Sequence, residues 1–130
     1  MKRLAIVASV AAVLVLASVA LAAGKLHGTY KATITSGVAG GVLMGPWTIR
    51  FARPDYTVSE DGTVEVRGRY AVKGHTIIFH DKTGRDACPG PGRYTVHLAG
   101  RMLHFTPLSD PSPNCLGRRT VLAATFTKVG

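Results

Sequence analysis

Few residues in this sequence of 130 have the types and spacing that enzyme chemistry requires. The chain contains no Gly-x-Ser-x-Gly, no His-Glu-x-x-His and no phosphate-binding glycine loop ahead of a helix. The serines beyond the N-terminal segment lie in loops or at predicted strand ends, and the sequence gives none of them a visible pair of histidine and aspartate partners. The acidic residues lie mostly at turns, where carboxylates accept backbone hydrogen bonds. We therefore expect no catalytic residues and no enzyme activity.

The histidines are the remaining candidates for metal or cofactor chemistry. His80, His97 and His104 fall on the outward side of predicted strands, and His97 and His104 together would form at most an incidental surface metal contact. His75 falls on the inward side, where it would serve as an axial ligand if the barrel bound haem. A hydrogen-bonded side chain at a strand end is the simpler interpretation. We predict no metal site and no cofactor.

Cys88 and Cys115 are the only cysteines. An even number of cysteines in an oxidising compartment most simply forms a disulfide. The loop that this disulfide would close, 28 residues counted inclusively, predicts a stabilisation of about 3 to 4 kcal/mol. A zinc site is the weaker alternative, because the sequence has no Cys-x-x-Cys pair.

The N-terminal segment has the pattern of a secretory signal peptide. Lys2 and Arg3 precede an apolar run over residues 4–21, which ends in the small-x-small sequence Ala20-Leu21-Ala22. We predict a helical signal peptide at residues 1–22, cleavage after Ala22 or Ala23, and a secreted or periplasmic bacterial protein. An uncleaved membrane anchor is the alternative, since such a run is just long enough to span a bilayer.

Removal of this segment leaves one predicted domain, residues 23–130, with a formal net charge of +7 in place of +9. A basic surface attracts anionic partners such as envelope polymers, lipid head groups or nucleic acid. The basic residues are spread singly along the sequence, so a role in solubility is the simpler interpretation. We expect no specific nucleic-acid binding and no stable membrane span after cleavage; the oligomeric state stays open.

Beyond residue 25 the hydrophobic period is two, which predicts β-strands that bury one face. The clearest example is residues 64–73, where alternate residues are apolar and charged. The residues predicted to face inward are Tyr30, Ala32, Ile34, Trp47, Ile49, Phe51, Tyr56, Val58, Val64, Val66, Gly68, Tyr70, Val72, Ile77, Phe79, Tyr94, Val96, Leu98, Leu103, Phe105, Leu122, Ala124 and Phe126. They define eight strands, the last running over residues 120–128.

Turn chemistry predicts how these strands pair. Lys73-Gly74 and Ala99-Gly100 are predicted as two-residue turns, and residues 52–55 as a four-residue loop that sets Phe51 opposite Tyr56. We predict a three-residue loop at Glu60-Asp61-Gly62, because a two-residue Asp61-Gly62 turn would set Val58 against Glu65.

Successive strands then form an up-and-down meander, and closure into a small barrel removes its exposed edges. Two longer connections, residues 81–92 and 107–119, each carry one cysteine. The disulfide would therefore join two loops on the same rim. The predicted fold is an all-β, eight-stranded antiparallel up-and-down barrel.

The chain also resembles the lipocalin-like (calycin-type) secreted β-barrels over residues 26–128. The residues that carry the resemblance are Gly68-x-Tyr70, Asp81-x-x-Gly84, Cys88, Gly92-x-Tyr94, Leu103-x-Phe105, Asp110, Cys115 and Arg118 or Arg119. In that family an arginine from the end of the barrel covers the tryptophan of an opening Gly-x-Trp. Here Gly28-Thr29-Tyr30 stands at that place and Trp47 lies on the second strand, so the resemblance implies that Arg118 or Arg119 contacts Trp47 by a cation-π interaction.

Two functions fit this pattern. The first is an exported binding protein that holds a small apolar or amphipathic ligand at the barrel mouth, near the disulfide; the candidate binding residues are Tyr30, Trp47, Tyr70, His75, Tyr94 and Phe105. The second is an envelope or extracellular interaction module with a sealed core, whose basic loops contact an anionic surface through Lys82, Arg85, Arg118 and Arg119. The free volume inside the barrel distinguishes these two functions, because an eight-stranded barrel either fills itself or holds one small ligand.

Overall fold

The computed structural model describes residues 25–35, 43–110, 112 and 115–130, so the predicted signal peptide lies outside the described residues. The described strands form one closed antiparallel barrel in which each strand pairs with its neighbour in sequence and the last pairs with the first. The strands are β1 (Gly28–Ile34), β2 (Gly45–Ala52), β3 (Asp55–Glu60), β4 (Thr63–Lys73), β5 (Thr76–Thr83), β6 (Pro91–Ala99), β7 (Met102–Ser109) and β8 (Phe126–Lys128), with one helix, α1 (Leu116–Leu122), before β8. The predicted fold class is confirmed.

Aromatic rings fill the interior of the barrel. All nine aromatic side chains are at most 6% exposed. Phe79 lies at the centre of this cluster, with its ring 5.0 Å from that of Tyr56 and 5.7 Å from that of Phe105. Most of the ring pairs meet edge to face, the arrangement that aromatic quadrupoles favour. The alternation in the sequence therefore identifies the core correctly.

Both ends of the barrel are covered. At the end where β1 begins, Leu26 is fully buried, and the Tyr70 hydroxyl donates a hydrogen bond of 3.1 Å to its carbonyl oxygen. At the opposite end, which we call the mouth, α1 buries Val121 and Leu122 against the core. Cys88 precedes β6 and Cys115 precedes α1, and the predicted disulfide between them ties the helix to the rim.

Two hairpin turns lie one residue later than predicted. Lys73 pairs with Thr76 and Ala99 with Met102, so the turns are Gly74-His75 and Gly100-Arg101. Each glycine takes the first central position with φ near +60°, as a type II′ turn requires. The shift changes the pairing register by two residues. Because side chains alternate between the two faces of a strand, each residue stays on the face that was predicted for it. The shift also corrects the position of His75, which is exposed in its turn and not inward.

The β3–β4 turn was predicted wrongly. It is the two-residue Asp61-Gly62 turn, with positive φ at both residues, as in type I′. A β-bulge resolves the conflict in register, because Ser59 pairs with Val64 and Val58 pairs with Val66. Glu65 is the extra residue of the bulge and is buried, whereas Val64 is exposed instead of facing inward.

The predicted eighth strand over residues 120–128 is only partly a strand. Residues 116–122 form α1, and β8 begins at Phe126. Arg118, Val121 and Leu122 have the i, i+3, i+4 spacing of one helix face, and all three side chains are buried. The prediction failed because Arg118 was counted as a surface residue, which hid this spacing. No helix among the described residues is long and apolar enough to cross a membrane.

Gly68 shows how tightly the interior is packed. A Cβ atom at this position would overlap the His80 carbonyl oxygen and lie 2.8 Å from the Tyr56 hydroxyl oxygen. We expect Gly68→Ala to lower the free energy of unfolding by about 1 to 3 kcal/mol, because overpacked sites force backbone shifts. Urea denaturation followed by circular dichroism measures the change.

Gly117→Ala is the matched control, since a Cβ atom there meets nothing within 4 Å and the residue lies in α1. It should stabilise the protein by up to about 1 kcal/mol through helix propensity. Equal effects of the two substitutions would contradict the packing argument.

Candidate functional site: the covered mouth of the barrel

An ion cluster lies beneath α1 at the mouth. Arg118 reaches from α1 to Asp110, just beyond the end of β7, with hydrogen bonds of 2.8 Å from Nε to Oδ2 and 2.6 Å from Nη2 to Oδ1. Their side chains are only 6% and 1% exposed. This two-point geometry matches the planar guanidinium to the carboxylate. The pair therefore fixes the helix to the last residues of β7.

A second carboxylate completes the cluster. Asp81 of β5 accepts hydrogen bonds from the Tyr56 hydroxyl and, at 2.8 Å, from the backbone N–H of Cys88. Its Oδ2 lies 3.5 Å from Arg118 Nη1. On the other side of the guanidinium, the Tyr94 hydroxyl donates to Asp110. Strands β3, β5 and β6, the helix and both disulfide loops thus meet at one arginine.

Gly92 makes this arrangement possible. A Cβ atom there would lie 2.8 to 2.9 Å from the guanidinium group of Arg118. Only glycine allows the arginine to lie against the backbone of β6. Most of the resemblance-carrying residues that lie near the mouth have a similar explanation, because they help to hold α1 in place.

The cluster stabilises its charged forms. Burial alone would raise the pKa of Asp110, but hydrogen bonds from Arg118 and Tyr94 and the charges of Arg118 and Arg119 hold it below its ordinary value. Burial alone would lower the pKa of Arg118, but Asp110 and Asp81 raise it. Asp110 and Arg118 therefore each favour the charged form of the other.

The two tyrosines of the cluster act as hydrogen-bond donors. Burial first, and then the hydrogen bond to Asp110 and its charge, raise the pKa of Tyr94. Burial and the charge of Asp81 raise the pKa of Tyr56. A raised pKa makes a phenol less available as a base or nucleophile. The chemistry of the cluster is thus that of a structural clamp.

A small cavity lies between this clamp and the aromatic core. Its volume is about 50 Å³, enough for a few water molecules and far below the usual scale of a small-molecule site. Its apolar wall includes Trp47, Val58, Phe79 and Leu122. Arg118 also lines it, and its buried Nη1 makes no hydrogen bond beyond its ion-pair contact of 3.5 Å with Asp81.

The structure separates the predicted ligand-binding residues. Trp47 lines the mouth cavity, and Tyr94 belongs to the ion cluster beside it. Phe105 packs in the aromatic core, while Tyr30 and Tyr70 lie toward the end opposite the mouth, near Leu26. His75 is exposed in a turn at that same end. The six residues do not form one pocket.

The predicted arginines take different partners from those expected. Trp47 donates its indole N–H to the Leu43 carbonyl oxygen at 2.9 Å. Arg118 is committed to the two carboxylates, and Arg119 donates to the carbonyl oxygens of Asp110 and Ser112 at 2.6 and 2.9 Å. The expected cation-π contact with Trp47 is absent from the interactions of these described residues.

Sequence analysis missed the partners in the cluster. Asp81 and Asp110 were interpreted as turn residues, although both are buried and bind Arg118. Tyr56 was predicted to be inward, but its bond to Asp81 was not foreseen. One sequence signal for this cluster was available, because Asp81 and Asp110 are both among the residues that carry the family resemblance and both lie near a cysteine in the sequence.

Two groups of residues bring three metal-ligating atoms close together among the described residues. One comprises Cys88, Asp110 and Cys115, whose sulfur atoms already form the disulfide. The other comprises Glu60, Glu65 and Asp86, in which Glu65 accepts a hydrogen bond of 2.8 Å from Arg85. Neither is an open site with all its donors free.

A larger concavity lies outside the barrel. It is a groove of about 550 Å³ between the end of β1 and the segment from Arg119 to Thr125, and threonines dominate its wall. Among the predicted site residues, only Arg119 borders it. The mouth cavity, by contrast, is lined by Trp47 and by Tyr56, Asp81 and Arg118 of the ion cluster.

Fold and site together define a closed eight-stranded antiparallel β-barrel whose mouth is covered by a clamped helix. Comparison of the chain with protein-family models, curated proteins and solved structures finds no match.

Replacement of Arg118 tests the clamp. We expect Arg118→Met to lower the free energy of unfolding by about 3 to 5 kcal/mol, because it leaves two carboxylates buried without their cation. Arg69→Met is the control, since the ion pair of Arg69 with Asp55 is 68% and 64% exposed and should contribute at most about 1 kcal/mol. Chemical denaturation at pH 7 compares them, and similar losses would refute the clamp.

The four buried tyrosines determine how the stability of the folded protein changes at alkaline pH. Burial raises the pKa of all four, so the folded protein keeps protons that the unfolded chain loses near pH 10. Their contribution to stability is complete below that pH and is lost above it, by at most about 1.4 kcal/mol per pH unit for each tyrosine until its own folded-state pKa is reached. Tyrosinate absorbance should therefore rise only with the loss of circular dichroism. A tyrosine that titrates normally in the folded protein would contradict this.

Proposed function

We propose that this protein is an exported, non-catalytic, lipocalin-like barrel with a sealed core, which acts by binding an anionic surface or polymer outside the cytoplasm. The observation that carries the proposal is the filled interior: both ends are covered and the mouth cavity measures about 50 Å³. A protein without room inside must meet its partner through its outer surface. The disulfide is consistent with an oxidising compartment.

Burial of acidic side chains makes that outer surface more basic than the sequence suggests. Of the seven acidic residues, Glu65, Asp81 and Asp110 have side chains at most 5% exposed. Among the described cations, Arg118 has a side chain that is only 6% exposed, whereas most of the other lysines and arginines are exposed. The charge that remains outside favours anionic partners.

The proposal revises the contact residues expected from the sequence. Lys82 is exposed, but Arg118 is inside and Arg119 binds backbone carbonyls. Arg85 is exposed and pairs with Glu65. The basic loops at the mouth thus contribute less free charge than their sequence implies, and the strand faces contribute more.

A ligand at the mouth is the second candidate. One observation favours it: Arg118 lines the mouth cavity, and its buried Nη1, although 3.5 Å from Asp81 Oδ2, makes no hydrogen bond, so it could donate to the carboxylate of an amphipathic molecule. Binding would require α1 to move, because the cavity is too small as it stands.

Binding assays separate the two candidates. We expect the mature protein to bind immobilised polyphosphate or polyglutamate, but not neutral dextran, with an affinity that falls as NaCl rises. We also expect native mass spectrometry of protein purified from its exporting host to give the bare mass.

Trp47 provides the counter-test, because it is the only tryptophan and lines the mouth cavity. A saturable change in its fluorescence with lauric acid, together with a co-purified small molecule, would favour the mouth ligand. Absence of salt-sensitive binding to both polyanions would sink the proposed function.

A further inference from the structure

Strand pairing gathers basic residues that are scattered in the sequence. Arg67, Arg69 and Lys73 occupy outward positions on β4 and are exposed. Arg50 on β2, Lys82 on β5 and Arg93 on β6 are exposed on the neighbouring strands. We call these six residues the basic wall; its members are Arg50, Arg67, Arg69, Lys73, Lys82 and Arg93.

The register fixes where the wall residues lie. Thr57 of β3 pairs with Arg50 on one side and with Arg67 on the other. Arg93 pairs with Ile78, which pairs in turn with Ala71 between Arg69 and Lys73. The Cα atoms of successive outward positions are thus about 7 Å apart along β4 and about 10 Å apart across alternate strands.

A groove marks the centre of this wall. It has a volume of about 230 Å³, and its wall includes Thr57, Arg67, Arg69 and Lys82. A second bulge places Lys82 there, because β4 and β5 shift register between Arg67 and Gly68, opposite Thr83 and Asp81. Asp81 contributes to the ion cluster at the mouth while the next residue, Lys82, is exposed outside.

Acidic residues hardly oppose these charges. Asp55 lines the groove and pairs with Arg69 at 3.7 Å. The other acidic residues that are not buried lie toward the mouth, at Glu60, Asp61 and Asp86. The wall therefore carries a clear excess of positive charge.

We propose that the basic wall is the docking surface for a linear phosphate-bearing polyanion, whose successive charges contact the cations along β4 and on its flanks. This inference rests on the proposed function and names its partner class. The wall cations are spaced out, so a single small anion would meet only two or three of them. Arginine, which supplies four of the six, pairs with phosphate at two points, and Thr57 adds a hydroxyl donor in the groove.

A membrane is the less suitable partner for this face. Membrane-surface binding combines basic residues with apolar side chains that enter the interface. The exposed large hydrophobic side chains among the described residues are Met44, Val64, Met102, Leu108, Leu116 and Val129. None belongs to the wall, and Val64, the one on β4, lies at the mouth end of that strand.

The test compares two triple variants of equal charge. Arg67→Gln/Arg69→Gln/Lys82→Gln removes the centre of the wall. Lys25→Gln/Lys31→Gln/Arg101→Gln removes three exposed cations outside the centre of the wall, of which Lys31 lies beside Arg50 at its edge. Binding of each mature protein to long-chain inorganic polyphosphate is measured by fluorescence anisotropy over a series of NaCl concentrations. Circular dichroism and thermal melting verify that both variants are folded.

We expect the wall variant to lower the slope of log K against log[NaCl] by about 2 in magnitude, since each phosphate contact of a flexible polyanion contributes about 0.7. The control variant should keep a slope close to the unaltered protein. Equal losses in the two variants, or none in the wall variant, would overturn the wall while leaving the proposed function in place.

Two further probes test the partner class. Polyglutamate tests for carboxylate, and vesicles of phosphatidylglycerol with phosphatidylcholine test for a membrane. Weaker binding to both than to polyphosphate supports the inference, whereas stronger binding to either overturns it. If the unaltered protein binds neither polyphosphate nor polyglutamate, the proposed function itself fails.

Discussion

The buried contact between Arg118 and its two carboxylates is the constraint on which the mouth of this barrel depends. A seven-residue helix has little stability of its own, because nucleation outweighs the few hydrogen bonds that it gains. Its position comes from the guanidinium below it, the apolar pair Val121 and Leu122, and the disulfide at its start. Removing one partner would leave charge buried, so the cluster acts as a unit.

The same contact shapes what the protein presents to its surroundings. Because Asp81 and Asp110 are drawn inside to meet Arg118, their negative charges no longer offset the cations of the strand faces. Aromatic rings occupy the space that a ligand would need. Interior and exterior are thus linked: the packing that seals the barrel also leaves its wall basic.

Much of the fold could be predicted because a strand that buries one face must alternate, and this signal survives local error. The shift of two residues at Gly74 and Gly100 left every inward face in place. The alternation of inward and outward residues cannot distinguish registers that differ by two residues. The preference of glycine for the first position of a type II′ turn could have identified the correct register. The bulge at Glu65 interrupts the alternation itself, and no residue type at this position predicts a bulge.

The site was harder to predict than the fold. The disulfide followed from the count of cysteines, and the residues that carry the family resemblance include Asp81, Asp110 and Arg118. Their meeting depends on how β5, β7 and the helix converge in space, which a sequence pattern does not contain. Charged residues are expected at the surface, so an arginine that belongs to a buried helix face was interpreted as part of a strand or loop.

The brevity of β8 leaves part of β1 without a second described strand beside it. β8 pairs with β1 only at Tyr30 and Lys31, although β1 continues to Ile34. In the part of the chain that the structure describes, this last stretch of β1 therefore has a strand neighbour only in β2. Backbone groups at such an edge are a template for strand addition by another chain. Among the described strands, the hydrogen-bonded wall of the barrel is therefore incomplete along the last three residues of β1.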